Sequence, residues 1–252
     1  MSRISRMATD IKYSLVQFLR SRQSVFFSLV FPAVFLVILG YLLGSDTAEG
    51  GVNYMGYLLS GILGMCIMFS ALNETMGTIS RYRANGVFNM LSVTPMSTIE
   101  WNLARIISGT FIVLLSVAVA LIAAWLAFGI LPAINVFSVL LVIAGAFMFI
   151  GMGMIIAYVF DDVRSPNMVS LMITLPLMMV SGSLFPIEQL PFLVQFFSIL
   201  SPLTPLNDGL RSAMFSGDYG SAAVSLLISI GLGFVLFTIG VAILMGKDGQ
   251  DV

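Results

Sequence analysis

No histidine occurs in the 252 residues, and the single cysteine, Cys66, lies inside an apolar run. That scarcity excludes disulfide frameworks and multi-ligand Cys/His metal sites within one chain. Charge is sparse as well, with 11 Lys and Arg against 12 Asp and Glu for a net of −1. Such a balance removes any electrostatic case for nucleic acid as a partner. No short apolar stretch ends at a small-residue cleavage site, so a removed signal peptide is not expected.

What the chain has in quantity is hydrophobicity: 59% of residues are hydrophobic, and the mean hydropathy is +1.05. A soluble domain needs a polar exterior, so this composition specifies a polytopic membrane protein, expected as one domain over residues 1–252. Six apolar segments are long enough to cross hydrocarbon, which takes roughly 20 helical residues. They run over 25–43, 54–77, 106–128, 136–159, 167–185 and 222–245. Each run is too long and too evenly apolar for barrel strands, so the fold class expected is all-α with six transmembrane helices.

Six spans place Arg3, Arg6, Lys12, Arg20, Arg22, Arg81, Arg83, Arg105, Arg164 and Lys247 on one side, leaving Arg211 alone on the other. The excess of cations marks the cytoplasmic face and predicts that both termini lie there. Ahead of the first span, Arg3, Arg6, Asp10, Tyr13, Gln17 and Arg20 recur at helical spacing, opposite Ile4, Ala8, Ile11, Leu15 and Phe18. This predicts an amphipathic helix over 1–23 lying in the membrane interface, with packing against its own bundle as the alternative.

Ionisable residues inside spans mark ion-coupled transport, and these spans are nearly free of them. Glu74 is the nearest case, close to the cytoplasmic end of the second span, where Arg81 or Arg83 two turns on would pair with it. "GVAILMGKD" from Gly240 is no phosphate-binding loop: the spacing is wrong, no Ser or Thr follows Lys247, and it ends a span. Uphill movement would therefore draw its energy from another chain.

Two stretches between spans carry the remaining information. In the cytoplasmic loop 79–97, Val87, Phe88, Met90 and Leu91 form an apolar side too short to span, and Thr94-Pro95 breaks it. Ser97 and Glu100 then form a capping box, flanked by Met96 and Trp101 at the staple positions. On the outer side, 186–220 is too apolar for a solvated loop. Pro191 suits the first turn of one short helix, and Thr204-Pro205 reads as the start of a second. Asp208 and Arg211 are spaced to pair on its face. Two such helices should enter the outer leaflet and return, packed on the spans.

The combination resembles the ABC exporter permeases of the type-two family, which serve drug, antibiotic and polysaccharide export. In that family Arg-x-x-Gly-x-x-x-x-Leu-x-x-x-Pro joins the second and third spans, and Arg83, Gly86, Leu91 and Pro95 stand at that spacing here. The outer segment of the family matches Ser181, Gly182, Phe185, Pro186, Pro191, Pro202, Leu203, Thr204, Asp208 and Arg211. Two positions depart: "RYRANG" lacks the glutamate usual beside the arginine, and Arg105 stands where a lysine often opens the third span.

The resemblance implies a permease subunit without an ATPase site, working with a separate ATP-binding subunit that holds ATP and Mg. It implies a second permease chain and a prokaryotic cytoplasmic membrane. Arg83, Gly86, Val87, Phe88, Met90, Leu91 and Pro95 would dock on the ATPase. Phe185, Pro186, Glu188, Pro191, Pro202, Thr204, Asp208 and Arg211 would form the outer gate. Gly61, Met65, Met68, Met172, Met178 and Met179, on the second and fifth spans, would line the pathway of an amphiphilic or apolar cargo. The competing class is a sensor or assembly scaffold of the same architecture that transports nothing.

Overall fold

The computed structural model describes residues 3–43, 54–84, 98–159 and 166–248. Within them the chain is helical, with no strand. Helix α1 (Arg3–Arg20) leads through Ser21 into α2 (Arg22–Val25), a π-helical turn at Phe26–Val30, and α3 (Phe31–Leu43). Then come α4 (Tyr54–Ala84), α5 (Thr98–Phe128), α6 (Val136–Val159) and α7 (Pro166–Val180). After a 3-10 turn at Ile187–Gln189 follow α8 (Phe192–Leu200), α9 (Leu203–Arg211), a π-helical turn at Ser212–Ser216, and α10 (Tyr219–Asp248).

Among the described residues five helices are long and apolar enough to cross a membrane: Arg22–Leu42, Tyr54–Arg83, Trp101–Phe128, Val136–Val159 and Tyr219–Ile243. The segment expected at 167–185 as a sixth is shorter, because α7 stops at Val180. Its 15 residues rise about 22 Å, short of the roughly 30 Å of hydrocarbon. Gly182 ends it by adopting a φ of +67°, a conformation only glycine takes without strain.

Helix α4 is the axis of the fold, and its most apolar stretch is wholly enclosed by protein. It contacts α3, α5, α6, α7 and α9. Small residues along it make such enclosure possible, since backbones approach closely only where side chains are absent. At Gly61 the space a Cβ would need is taken by the Ser183 backbone. The pairing of α6 with α10 is equally tight, and a Cβ on Gly151 would meet the Phe237 nitrogen at 2.7 Å. Around this core α3, α5 and α10 keep apolar faces turned outward, as lipid-facing helices must.

Helix α1 forms where the sequence pattern predicts it, and part of its apolar stripe packs on the bundle. Ser14 and Phe18 are buried and Ile11 and Leu15 half-buried, with α5 as the neighbour. The exposed side carries Lys12, Tyr13, Val16, Leu19 and Arg20.

The two short helices α8 and α9 differ from each other. Helix α9 packs inward through Leu203, Leu206, Asn207 and Leu210. Helix α8 contacts α7 but leaves Phe192, Leu193, Phe196, Phe197, Ile199 and Leu200 exposed. The starts also shift. Pro191 sits at the N-cap of α8 rather than in its first turn, and α9 begins at Leu203 after Pro202. Thr204 is therefore inside α9, where its hydroxyl donates to the Ser198 carbonyl at 2.7 Å and ties the two helices together.

Candidate functional site: a buried ion network and a polar cluster at the opposite end

Near the start of α5, Arg105 is wholly buried. Its Nη1 lies 2.7 Å from Glu74 Oε1 on α4, and its Nη2 donates to Ser14 Oγ on α1 at 3.1 Å. The guanidinium also faces the rings of Trp101 and Tyr82, at 5.6 and 5.8 Å from their centroids. Thr78 donates to the same Glu74 oxygen at 3.3 Å and in turn accepts from Arg81 Nη2 at 2.9 Å. A charge in hydrocarbon must be paired and hydrogen-bonded, so one cluster fixes three helices at a point.

The carboxylate of Glu74 thus pairs with Arg105, not directly with Arg81 or Arg83. Arg81 reaches it only through Thr78. Arg83 turns to α6 instead, donating to the Ala157 carbonyl at 2.9 Å and lying 4.4 Å from the Tyr158 ring centroid. There it meets the carbonyls of a helix C-terminus, which favour a cation. The remaining expected docking residues, Gly86, Val87, Phe88, Met90, Leu91 and Pro95, lie outside the described residues.

At the other end of the bundle, aromatic hydroxyls of α4 hold the turn that follows α7. Tyr57 donates to the Gly182 carbonyl at 2.6 Å and sits 3.0 Å from that of Phe185, while Tyr54 donates to the Leu184 carbonyl at 2.8 Å. Arg211 lies 3.6 Å from the centroid of the Tyr57 ring and pairs with Asp208 at 3.0 Å, as its spacing predicts. Burial lifts the Asp208 carboxyl above its ordinary range, with Arg211 acting in the opposite direction. Asn207 donates to Ser183 Oγ at 2.7 Å, and the Ser181 and Ser183 hydroxyls are 2.8 Å apart. Of the other expected gate residues, Phe185, Glu188 and Pro191 are exposed, and Pro186, Pro202 and Thr204 are half-buried.

The expected pathway residues divide. Gly61, Met65, Met68 and Met178 are buried inside the single chain, whereas Met172 and Met179 are exposed on α7. Sequence reasoning missed Arg105 as a buried partner because it starts the third span one residue later. It also missed Ser14, Tyr57 and Asn207. For Arg105 and Glu74 a signal existed: opposite charges beside two apolar runs need each other once both runs enter hydrocarbon.

Both clusters lie within residues 7–215, which match the family model of the ABC-2 type transporter. The chain belongs to the ABC-2 type transporter family. Among curated proteins it is similar to Nodulation protein J of Sinorhizobium fredii (strain NBRC 101917 / NGR234), 26% identical over 204 residues, 80% of this chain and 78% of that protein. It is also similar to Nodulation protein J of Neorhizobium galegae, 27% identical over 187 residues, 73% of this chain and 71% of that one. The ABC-2 match ends in the π-helical turn at Ser212–Ser216, so α10 lies beyond it. Membrane subunits of ABC-2 transporters are not catalytic.

Proposed function

We propose that this ABC-2 membrane component is the permease of an ATP-driven exporter that moves an amphiphilic or apolar substrate out of a prokaryotic cell. A separate ATP-binding subunit, carrying ATP and Mg, docks on the loop 85–97 at the cytoplasmic face, where both termini also lie. The observation that carries this reading is the position of the Arg105–Glu74 pair. Helices α4 and α5, which bracket that loop, are locked to each other and to α1 through it. A push on the loop would therefore reach the bundle as a rigid displacement rather than dissipate in two independent helices.

At the far end the turn 181–185 and helices α8 and α9 act as the outer gate, closed by Tyr57, Asn207 and Arg211. A second permease copy completes the pathway, and Met172 and Met179 on the open side of α7 are placed to face it. The decisive experiment reconstitutes the chain in vesicles alone and with its ATP-binding partner, and then with Phe88→Asp and Leu91→Asp combined. Vanadate-sensitive transport should require the partner, and the double variant should insert normally yet lose both ATPase association and transport. Wild-type transport by that variant would refute the docking role.

A further inference from the structure

Between α5 and α6 a groove of about 180 Å³ opens on the side of the bundle. Val117 of α5, Val142 of α6 and Met214, all buried, make its floor. Leu114, Val139 and Ile134, all exposed, make its rim. Ser138 is the one polar side chain on the wall, and its hydroxyl is already engaged. It donates to the Asn135 carbonyl at 2.7 Å and accepts from the Asn135 amide at 3.0 Å. The groove therefore has no hydrogen bond to offer a guest. A space on the order of 150 Å³ walled by apolar side chains stays dry and takes apolar guests instead.

The surroundings supply such a guest. Trp101–Phe128 and Val136–Val159 are both long and apolar enough to cross a membrane. Ile122, Leu140 and Ile143, each next in sequence to a wall residue, are exposed as lipid-facing side chains are. One turn beyond Leu121 of the wall, on the same face of α5, stands Trp125, which is 52% exposed. An exposed tryptophan near the end of a span sits at the level of lipid headgroups. A lipid whose headgroup lies at that level carries its acyl chain past Leu121 and into the groove. A protein partner fits poorly, because nine residues line the groove, against the roughly 20–30 a side of a stable protein interface.

The groove also touches a joint in the fold. Met214 belongs to the π-helical turn at Ser212–Ser216, a geometry concentrated at functional positions. The connection between α5 and α6 holds this turn. Asn135 Nδ2 donates to the Ala213 carbonyl at 2.5 Å, and the Ala133 amide donates to the Met214 carbonyl at 3.2 Å. A guest in the groove packs against Met214 and so bears on the segment that links α9 to α10.

We infer that the groove between α5 and α6 binds a single lipid acyl chain, which braces the turn at Met214. The wall is uncharged and its one hydroxyl is spent, so what it selects is a linear hydrocarbon chain rather than a headgroup. The site goes beyond the exporter reading and stands whether or not the chain transports.

The test uses the full chain purified in digitonin, a steroid detergent without a linear chain, titrated with phosphatidylcholine brominated on its acyl chains. Bromine quenches tryptophan at contact range, so the exposed Trp125 reports the groove, while Trp101, buried near the start of α5, gives a constant background. Quenching should saturate at a single lipid per chain and be reversed by unbrominated lipid, and the melting temperature should rise with occupancy. Ala118→Phe fills the groove from an exposed wall position. It should weaken that binding about tenfold, the loss expected when about two methylenes are excluded. Val139→Phe fills the groove from α6 and should do the same, whereas Ile122→Phe, off the wall, should bind as the wild type does. Quenching that rises without saturating, or saturation that neither filler diminishes, would mean that α5 is covered by bulk lipid only and would overturn the inference. A dimer that either filler dissociates would overturn it too, since a second copy would then hold the groove.

Discussion

Arg105 Nη1 and Glu74 Oε1 stand 2.7 Å apart with side-chain exposures of 0% and 3%, and they come from helices on opposite sides of the loop 85–97. An ion pair so enclosed is a poor source of net stability, because desolvation offsets the Coulomb gain. Its worth lies in fixing α4 against α5 in one register.

Removing one partner strands the other charge. Glu74→Leu or Arg105→Leu alone should therefore destabilise the protein by about 3–5 kcal/mol. The double substitution should recover most of that loss while transport stays impaired. Thermal unfolding of the four proteins in detergent gives the coupling energy. Additive effects of the two single changes would mean that the pair does not act as a unit.

Tyr57 holds the turn after α7 through its hydroxyl and supports Arg211 through its ring. Tyr57→Phe should keep the ring contact but leave the Gly182 carbonyl without that donor, a loss of about 1–3 kcal/mol. Tyr57→Leu removes both contacts and should cost more. Solute leak through vesicles holding each variant reads the seal directly, and an unchanged leak for Tyr57→Leu would argue against a gate here.

Gly61 has no room for a side chain beside Ser183. Gly61→Leu should push the outer turn away from α4 and cost at least the roughly 1–3 kcal/mol of an overpacked core. Reduced yield and a lowered melting temperature are expected. A tolerated leucine would show that this face of α4 opens onto a space, as a pathway position requires.

Asp218 caps α10: its side chain accepts from the Gly220 and Ser221 amides at 3.1 and 3.2 Å, and from the Ser221 hydroxyl at 2.6 Å. These bonds hold its carboxyl below the ordinary range. The ionised form is thus favoured by folding, and its contribution is complete above the unfolded pKa and lost as pH falls through the folded one. Asp218→Asn should flatten the acid side of the stability profile, with melting temperature against pH as the measurement. An acid limb identical to wild type would remove Asp218 from that role.

Much of this molecule was legible in one dimension. Composition alone requires a membrane, because more than half the residues are hydrophobic and burial within a globule cannot hide them. The long apolar runs that become α3, α4, α5, α6 and α10 are local properties, since each helix satisfies its own backbone. Asp208 and Arg211 pair as their spacing requires, for they share a helix face. The motif around Arg83 and that from Ser181 to Arg211 led to the ABC-2 family without any contact being known.

What the tertiary structure decided is which chemically similar residues meet. Glu74 has Arg81 and Arg83 nearby in sequence, yet Arg105 from another helix takes its carboxylate and Arg83 goes to the end of α6. The apolar stripe of α1 suits a lipid surface or a protein equally, and only the position of α5 shows that Ser14 and Phe18 are used by protein. Helix α7 stops at Val180 because Gly182 turns there and Tyr57 holds that turn. In each case the alternatives have nearly equal local energies. The choice among them is made by side chains far away in the sequence, brought together only when the helices pack.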